Sequence, residues 1–427
     1  MKKIVFLMLL PFLFKTFPVI STEVEVTLTD AQRYELSKTA AHLSSELKIP
    51  QNPVLKVSVP VYKDEELTSP INVLTPKDSL AIQAVGVNQL GLPVYHLSDN
   101  TYMLADETAY YEDVVLEETP LSAVYWTREI TTVYDSPYVK GSKTLNQKPK
   151  DYSPVKVTAL ARTHSGTYYH VENHGWVEEG LLSSQDTRME KVQKCLEQKY
   201  QKSNYGIYVK QLETGQVAGI NESKAVYAAS LAKLPILYYT QEVINEGQLS
   251  KDKPLKYVSA VNDFYGAYDP SGSGTLPKKV DNKDYAVSDL MKKVAQQSDN
   301  VASNILSYYV TDKFGEAFQQ RISTISGTTW DMEKREVSPE TIGHVLEALY
   351  QQQGFVLDDL SQTDFDDSRI SKNISEKVSH KIGDAYDYKH DAAIVYTKSP
   401  FIITIMTNNA QYGDITAIAD DVYEILK

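Results

Sequence analysis

Two periodicities divide the chain. Up to about residue 186, apolar and polar residues alternate in short runs broken by Gly, Pro, Asn and Asp, the pattern of short antiparallel strands. Within this part the pattern repeats. Ile82-Gln83-Ala84-Val85, Gly91, Tyr95-His96-Leu97 and Tyr102-Met103 recur as Val157-Thr158-Ala159-Leu160, Gly166, Tyr169-His170-Val171 and Trp176-Val177, offset by 75 residues early in the copies and 74 later. The repeat predicts two small all-β barrels, one in 22–120, where a helix over Asp30–Leu47 comes first, and one in 121–186. From Met189 the apolar period lengthens, predicting a helix over Met189–Lys202, a hairpin of Tyr205–Val209 with Gly215–Gly219, and amphipathic helices over Ser230–Asn245, Val287–Val310 and Pro339–Gln352. Strands at Ala392–Tyr396 and Phe401–Thr407 and a helix through Thr416–Leu426 follow. That order predicts an α/β (α+β) domain over 187–427, with an antiparallel sheet built from both ends of the domain and a helical subdomain inserted.

The first residues follow neither period. Lys2 and Lys3 precede an apolar run from Ile4 to Phe14, and small residues surround Val19-Ile20-Ser21, which predicts a secretory signal over 1–21. A run of that length is too short to span a bilayer, and no longer one occurs, so no membrane span is expected. Cys195 is the only cysteine, so no internal disulfide forms and none follows the signal to take a lipid. Export without disulfides predicts a secreted, wall-associated protein of a Gram-positive surface. The formal net charge of -13 argues against nucleic acid as a partner. The excess is uneven: 22–186 holds 23 acidic and 13 basic residues, 187–427 holds 33 and 27.

Chemistry enters with Ser230-Leu231-Ala232-Lys233. Positions three apart share a helix face, so the lysine amine reaches the serine hydroxyl, which is a poor nucleophile until a base takes its proton. Ser298-Asp299-Asn300 follows, and then Lys381-Ile382-Gly383 between His380 and Asp384. Three elements in this order resemble the signature of the penicillin-recognising serine enzymes, the class A β-lactamases and penicillin-binding proteins. The likeness covers nearly all of 187–427 and extends to Asn300–Leu306 and His390–Val395. It implies a β-lactamase-like fold that forms an acyl-serine with a β-lactam or with the D-Ala-D-Ala end of a peptidoglycan stem peptide, without cofactor or metal. In that reading Ser230 is the nucleophile and Lys233 its activating partner. Ser298 relays a proton to the leaving nitrogen, Asn300 holds the substrate amide, and Lys381 supplies positive charge. Ile382, Gly383 and Asp384 lie along the substrate, and the backbone amides of Ser230 and Asp384 form the oxyanion hole.

Two departures stand out. Ile382 replaces the family's threonine, so a hydroxyl able to bind a substrate carboxylate is missing. No Glu-x-x-Leu-Asn string follows Asn300; Glu316, Glu333 and Glu336 are the glutamates before Ser338, and Glu333 and Glu336 read either as substitutes or as solvated loop charges. Slow hydrolysis of an acyl-enzyme is the expectation. Gly266 and Gly272-Ser273-Gly274 lie in a loop bordering the site, and the eight histidines, His380 and His390 among them, show no metal-ligand spacing. The front copies resemble bacterial SH3-like wall-binding modules, including the Gly-Trp type, clearest over Val133–Leu182 with Gly175-Trp176. That implies a peptidoglycan contact, with Tyr102 and Trp176 read as core. A second function class therefore stands beside the enzyme: a wall-binding structural protein with a weakly active β-lactamase-like domain, separated from the first by whether Ser230 acylates.

Overall fold

The computed structural model describes residues 28–29 and 48–427; the signal over 1–21 and the helix expected over 30–47 lie outside the described residues. Two compact units emerge. One runs to Glu118 and includes Ser136–Lys143 and Ala161–Thr167; the other comprises Thr119–Asp135, Thr144–Leu160 and Tyr168–Lys427. No helix among the described residues is long and apolar enough to cross a membrane.

In the first unit, β1 (Pro53–Leu55) pairs with β7 (Tyr110–Glu112). The strands β2 (Val59–Tyr62), β3 (Pro70–Leu74), β4 (Ile82–Val87), β5 (Pro93–Leu97) and β6 (Tyr102–Leu104) form a sheet in the order β3-β2-β6-β5-β4. Leu55, Val61, Tyr95 and Met103 fill its core. A second five-stranded sheet runs β11-β10-β9-β8-β12, from β8 (Val115–Thr127), β9 (Pro154–Thr163), β10 (Gly166–Val171), β11 (Gly175–Glu178) and β12 (Leu182–Ser183). The repeat read in the sequence is the three-strand meander common to both, β4-β5-β6 and β9-β10-β11. Even the cross-strand aromatic pair recurs, His96 on Tyr102 with ring centroids 4.8 Å apart and His170 on Trp176 at 5.3 Å. Trp176 is buried, as a core residue would be, whereas Tyr102, also expected in the core, is only half-buried. Strand β8 runs unbroken through the boundary expected at 120/121.

Beyond β12 come α1 (Arg188–Tyr200), the hairpin β13 (Tyr205–Gln211) and β14 (Val217–Ile220), then β15 (Val226–Tyr227) and α2 (Leu234–Asn245). The helical middle holds β16 (Pro254–Lys256), β17 (Asp284–Ala286), α3 (Val287–Gln297), α4 (Asn300–Tyr309), α5 (Glu316–Ser326), β18 (Glu336–Val337), α6 (Pro339–Gln352) and α7 (Val356–Asp359). The domain ends with β19 (Val378–Ala385), β20 (Tyr388–Val395), β21 (Phe401–Asn408) and α8 (Tyr412–Leu426). Its antiparallel sheet is ordered β14-β13-β21-β20-β19, so strands from both ends of the domain share one sheet. Alternation on β21 explains the two layers. Phe401, Ile403 and Ile405 face Val192 and Leu196 of α1 and Ile418 and Val422 of α8. Ile402 and Met406 face the helical subdomain with Leu237, Leu290, Ile305 and Leu346. Arg128 pairs with Glu190 of α1 at 2.9 Å, and Thr187 Oγ1 donates to Thr127 O at 2.6 Å, tying this domain to the end of β8.

Three helices differ from the sequence expectation, and the first two changes serve the cleft. The helix expected over Val287–Val310 breaks at Ser298, which sits in the left-handed region with φ 54°. The carboxylate of Asp299 then caps α4 by accepting from Ala302 N at 2.9 Å. The helix expected from Ser230 begins instead as a 3₁₀ turn, Ala229–Lys233, and becomes α-helical only at Leu234. Ala229 enters that turn at φ 48°. The last helix starts earlier than expected, at Tyr412, through a capping box of Gln411 with Asp414.

Candidate active site

In a 3₁₀ turn, residues i and i+3 eclipse, which aligns Lys233 with Ser230. Lys233 Nζ lies 3.1 Å from Ser230 Oγ. It also lies 2.6 Å from Asn300 Oδ1, 2.6 Å from the Ser298 carbonyl and 3.4 Å from Ser298 Oγ. The left-handed turn at Ser298 is what points that carbonyl at the amine. Lys381 Nζ, from β19, donates to Ser298 Oγ at 2.7 Å and to the Ile382 carbonyl at 2.9 Å. The five polar residues picked from the three motifs thus meet at one place.

Burial sets the charges here. Lys233 is completely buried, and that desolvation, with the Lys381 ammonium and then Arg335 nearby, holds its amine well below the ordinary lysine range. Burial also pushes Lys381 down to about 7, against the pull of the Asp391 carboxylate. The neighbouring histidines take opposite states. Burial alone would lower His380, but Asp391 at 3.0 Å and Asp366 at 3.1 Å on its two nitrogens push it up to about 9. Burial lowers His390 to about 4, and its Nε2 donates to the Tyr227 carbonyl at 2.8 Å while Nδ1 accepts from Thr407 N.

A cleft of about 290 Å³ opens over Ser230, walled by Tyr268, Asn300, Arg335, Asp384 and Tyr386 among others. Gly383 permits β19 to press against the nucleophile's turn, since a Cβ there would stand 2.8 Å from the Ala228 carbonyl. The side chain of Ile382 is buried. Asn300 lines the cleft; its Oδ1 accepts from Lys233, and one of the two N–H bonds of its Nδ2 donates to the Asp269 carbonyl at 2.8 Å. Glu316, Glu333 and Glu336 are absent from the cleft wall. The Glu333 carboxylate instead accepts from Gly266 N at 2.7 Å.

The loop flagged by its glycines does border the site. A Cβ on Gly272 would stand 2.4 Å from Asn300 Nδ2, and one on Gly274, at φ +107°, 2.2 Å from the Asp299 carboxylate. That carboxylate receives Thr275 N and Leu276 N at 2.6 and 2.8 Å. Gly274→Ala is expected to cost roughly 2–4 kcal/mol of stability, the sum of overpacking and backbone strain. Urea unfolding measures this, and an unchanged midpoint would refute the close approach.

Sequence reasoning missed Tyr268, Arg335, Arg369 and Tyr412. The Tyr268 ring lies between Lys233 Nζ, 4.6 Å from its centroid, and the Arg335 guanidinium at 3.7 Å. Arg369, almost wholly buried, donates to Asp384 Oδ2 at 2.7 Å and lies 3.9 Å over the Tyr412 ring. Proximity to the glycine loop marks Tyr268; nothing local marks the other three.

The family model described as the β-lactamase enzyme family matches residues 187–426. Similar solved structures include PBP-A, with 18% identity over 56% of this chain and 96% of that one and a TM-score of 0.47. A β-lactamase from Sphaerobacter thermophilus gives 16% identity over 56% and 95%, with a TM-score of 0.46. One from Chitinophaga pinensis gives 17% over 56% and 100%, with 0.47. No curated protein matches the chain. Because the family match spans more than half of its length, the chain belongs to the β-lactamase enzyme family.

Proposed function

We propose that the domain over 187–427 is a serine acyl-transfer hydrolase in which Ser230 is acylated by a β-lactam or by a peptidoglycan stem peptide. The observation that carries this is the setting of Lys233. A neutral amine has two N–H bonds and one lone pair; the two shortest contacts, to Asn300 Oδ1 and the Ser298 carbonyl, take the N–H bonds. The lone pair then faces Ser230 Oγ at 3.1 Å. As Oγ attacks the substrate carbonyl, its proton passes to Lys233, and negative charge on the carbonyl oxygen meets the backbone amides of Ser230 and Asp384. When the carbon–nitrogen bond breaks, Ser298 Oγ gives its proton to the leaving nitrogen and is resupplied by Lys233 across 3.4 Å. The net transfer is one proton from Ser230 to the leaving group, with the Lys381 ammonium holding Ser298 Oγ throughout. In this reading the signal over 1–21 places the reaction outside the cell.

The test is incubation with a labelled penicillin, followed by intact mass and peptide mapping. One acyl adduct on the peptide containing Ser230 is expected. Its rate should fall as pH rises through about 7, because Lys381 is protonated below that value and loses its charge above it. Absence of an adduct with penicillin and with acyl-D-Ala-D-Ala donors alike would return the wall-binding reading.

A further inference from the structure

The wall of the cleft beside the nucleophile carries a negative charge where a substrate carboxylate would need a positive one. Asp384 directly follows Lys381-Ile382-Gly383 on β19, and its carboxylate is about one third exposed, at 35%, on the cleft wall. The groups that would welcome an anion along this strand are otherwise engaged. Arg369 directs its guanidinium to Asp384 Oδ2 at 2.7 Å and lies stacked on Tyr412, whose hydroxyl donates to the same oxygen. Lys381 is wholly buried, bonded to Ser298 Oγ and the Ile382 carbonyl, with its pKa near 7. Ile382 has no hydroxyl to offer. Lys389, opposite Asp384 in the strand register, does not line the cleft.

We propose that Asp384 sets the substrate class: the part of the acyl donor lying along β19 presents an N–H donor, a carboxamide or an ammonium, and a free carboxylate there is disfavoured. This rests on the acyl-transfer reading of Ser230. The physical reason is simple. The exposed oxygen of Asp384 accepts hydrogen bonds and offers none, so an N–H group gains a charge-assisted bond, whereas a second carboxylate beside it meets like charge. The Arg369 pair tempers this repulsion and keeps it from being absolute, so a penicillin or a D-Ala-D-Ala end, whose carboxylate would lie there, still acylates Ser230, but less readily than a donor without that charge.

The experiment compares two thioester acyl donors with one acyl group and different leaving thiols, mercaptoacetate and mercaptoacetamide, following thiol release and acylation of Ser230. The full chain should favour the carboxamide donor by about tenfold in kcat/KM, as one partly screened like-charge contact would produce. Asp384→Asn keeps an acceptor for Arg369 and Tyr412 but removes the charge, and should bring the ratio close to one. Asp384→Ser, which also removes the charge and leaves a hydroxyl for Arg369, should bring the ratio close to one should the asparagine variant fail to fold. A chain that prefers the carboxylate donor, or a ratio that neither variant moves, overturns the assignment of Asp384 while leaving acyl transfer standing. Failure of either donor to acylate Ser230 overturns both.

Discussion

Ser230→Ala is expected to leave no covalent penicillin adduct at any incubation time, and Lys233→Met to slow adduct formation by about 10²–10⁴-fold, the range a positioned general base supplies. The two losses have different origins. Alanine removes the atom to which the acyl group would bond. Methionine fills the space of the lysine stem but has no lone-pair nitrogen 3.1 Å from Ser230 Oγ. It also leaves Asn300 Oδ1 and the Ser298 carbonyl without the donor each has at 2.6 Å, so some destabilisation, about 1–3 kcal/mol per orphaned group, accompanies it. Thermal unfolding measured beside the acylation rate separates these effects. A folded Lys233→Met protein that acylates at the parental rate would show that another group takes the Ser230 proton.

Turnover of penicillin should stall at the acyl-enzyme. Deacylation needs a base to activate water, and the carboxylates on the cleft wall, Asp269 and Asp384, are both committed. Asp269 accepts from Ser271 N at 2.8 Å, which holds it below the usual carboxylate range, and Asp384 is paired with Arg369. A carboxylate held low, as Asp269 is, makes a poor base. Glu333 is turned to the backbone of Gly266, and Arg335 occupies the wall on that side. The expected result is a burst of one equivalent of product and an adduct that persists, with deacylation about 10²–10⁴-fold slower than where a general base serves the water. Rapid multiple turnover with no detectable adduct would require a base outside these groups.

Much of this was legible from local pattern. The barrel repeat, the Tyr205–Gln211 strand and the buried run Phe401–Thr407 all announce themselves through alternation and turn residues. Strand β19 did not, because His380, Lys381 and Asp384 interrupt any apolar alternation, and their main partners, Asp391 and Asp366, Ser298 and Arg369, come from outside the strand. Likewise, one amphipathic period runs through Val287–Val310, and only the packing of the Gly272–Gly274 loop on Asp299 and Asn300 reveals why the helix must break there.

By itself, then, the sequence determined the repeat, the strongly periodic elements, and which residues, Ser230, Lys233, Ser298, Asn300 and Lys381, stand as candidates for one site, since these depend on spacing within short segments. Tertiary structure alone decided their states: the neutral bias of Lys233, the lowered amine of Lys381, the doubly paired His380 and the Arg369–Asp384 pair beside the nucleophile. Charge states follow from burial and from neighbours that the fold brings together, 65 and 83 positions apart for the Lys233 and Lys381 contacts to Ser298 and 11 to 15 apart for the His380 and Asp384 pairs, and no local pattern encodes which neighbours meet.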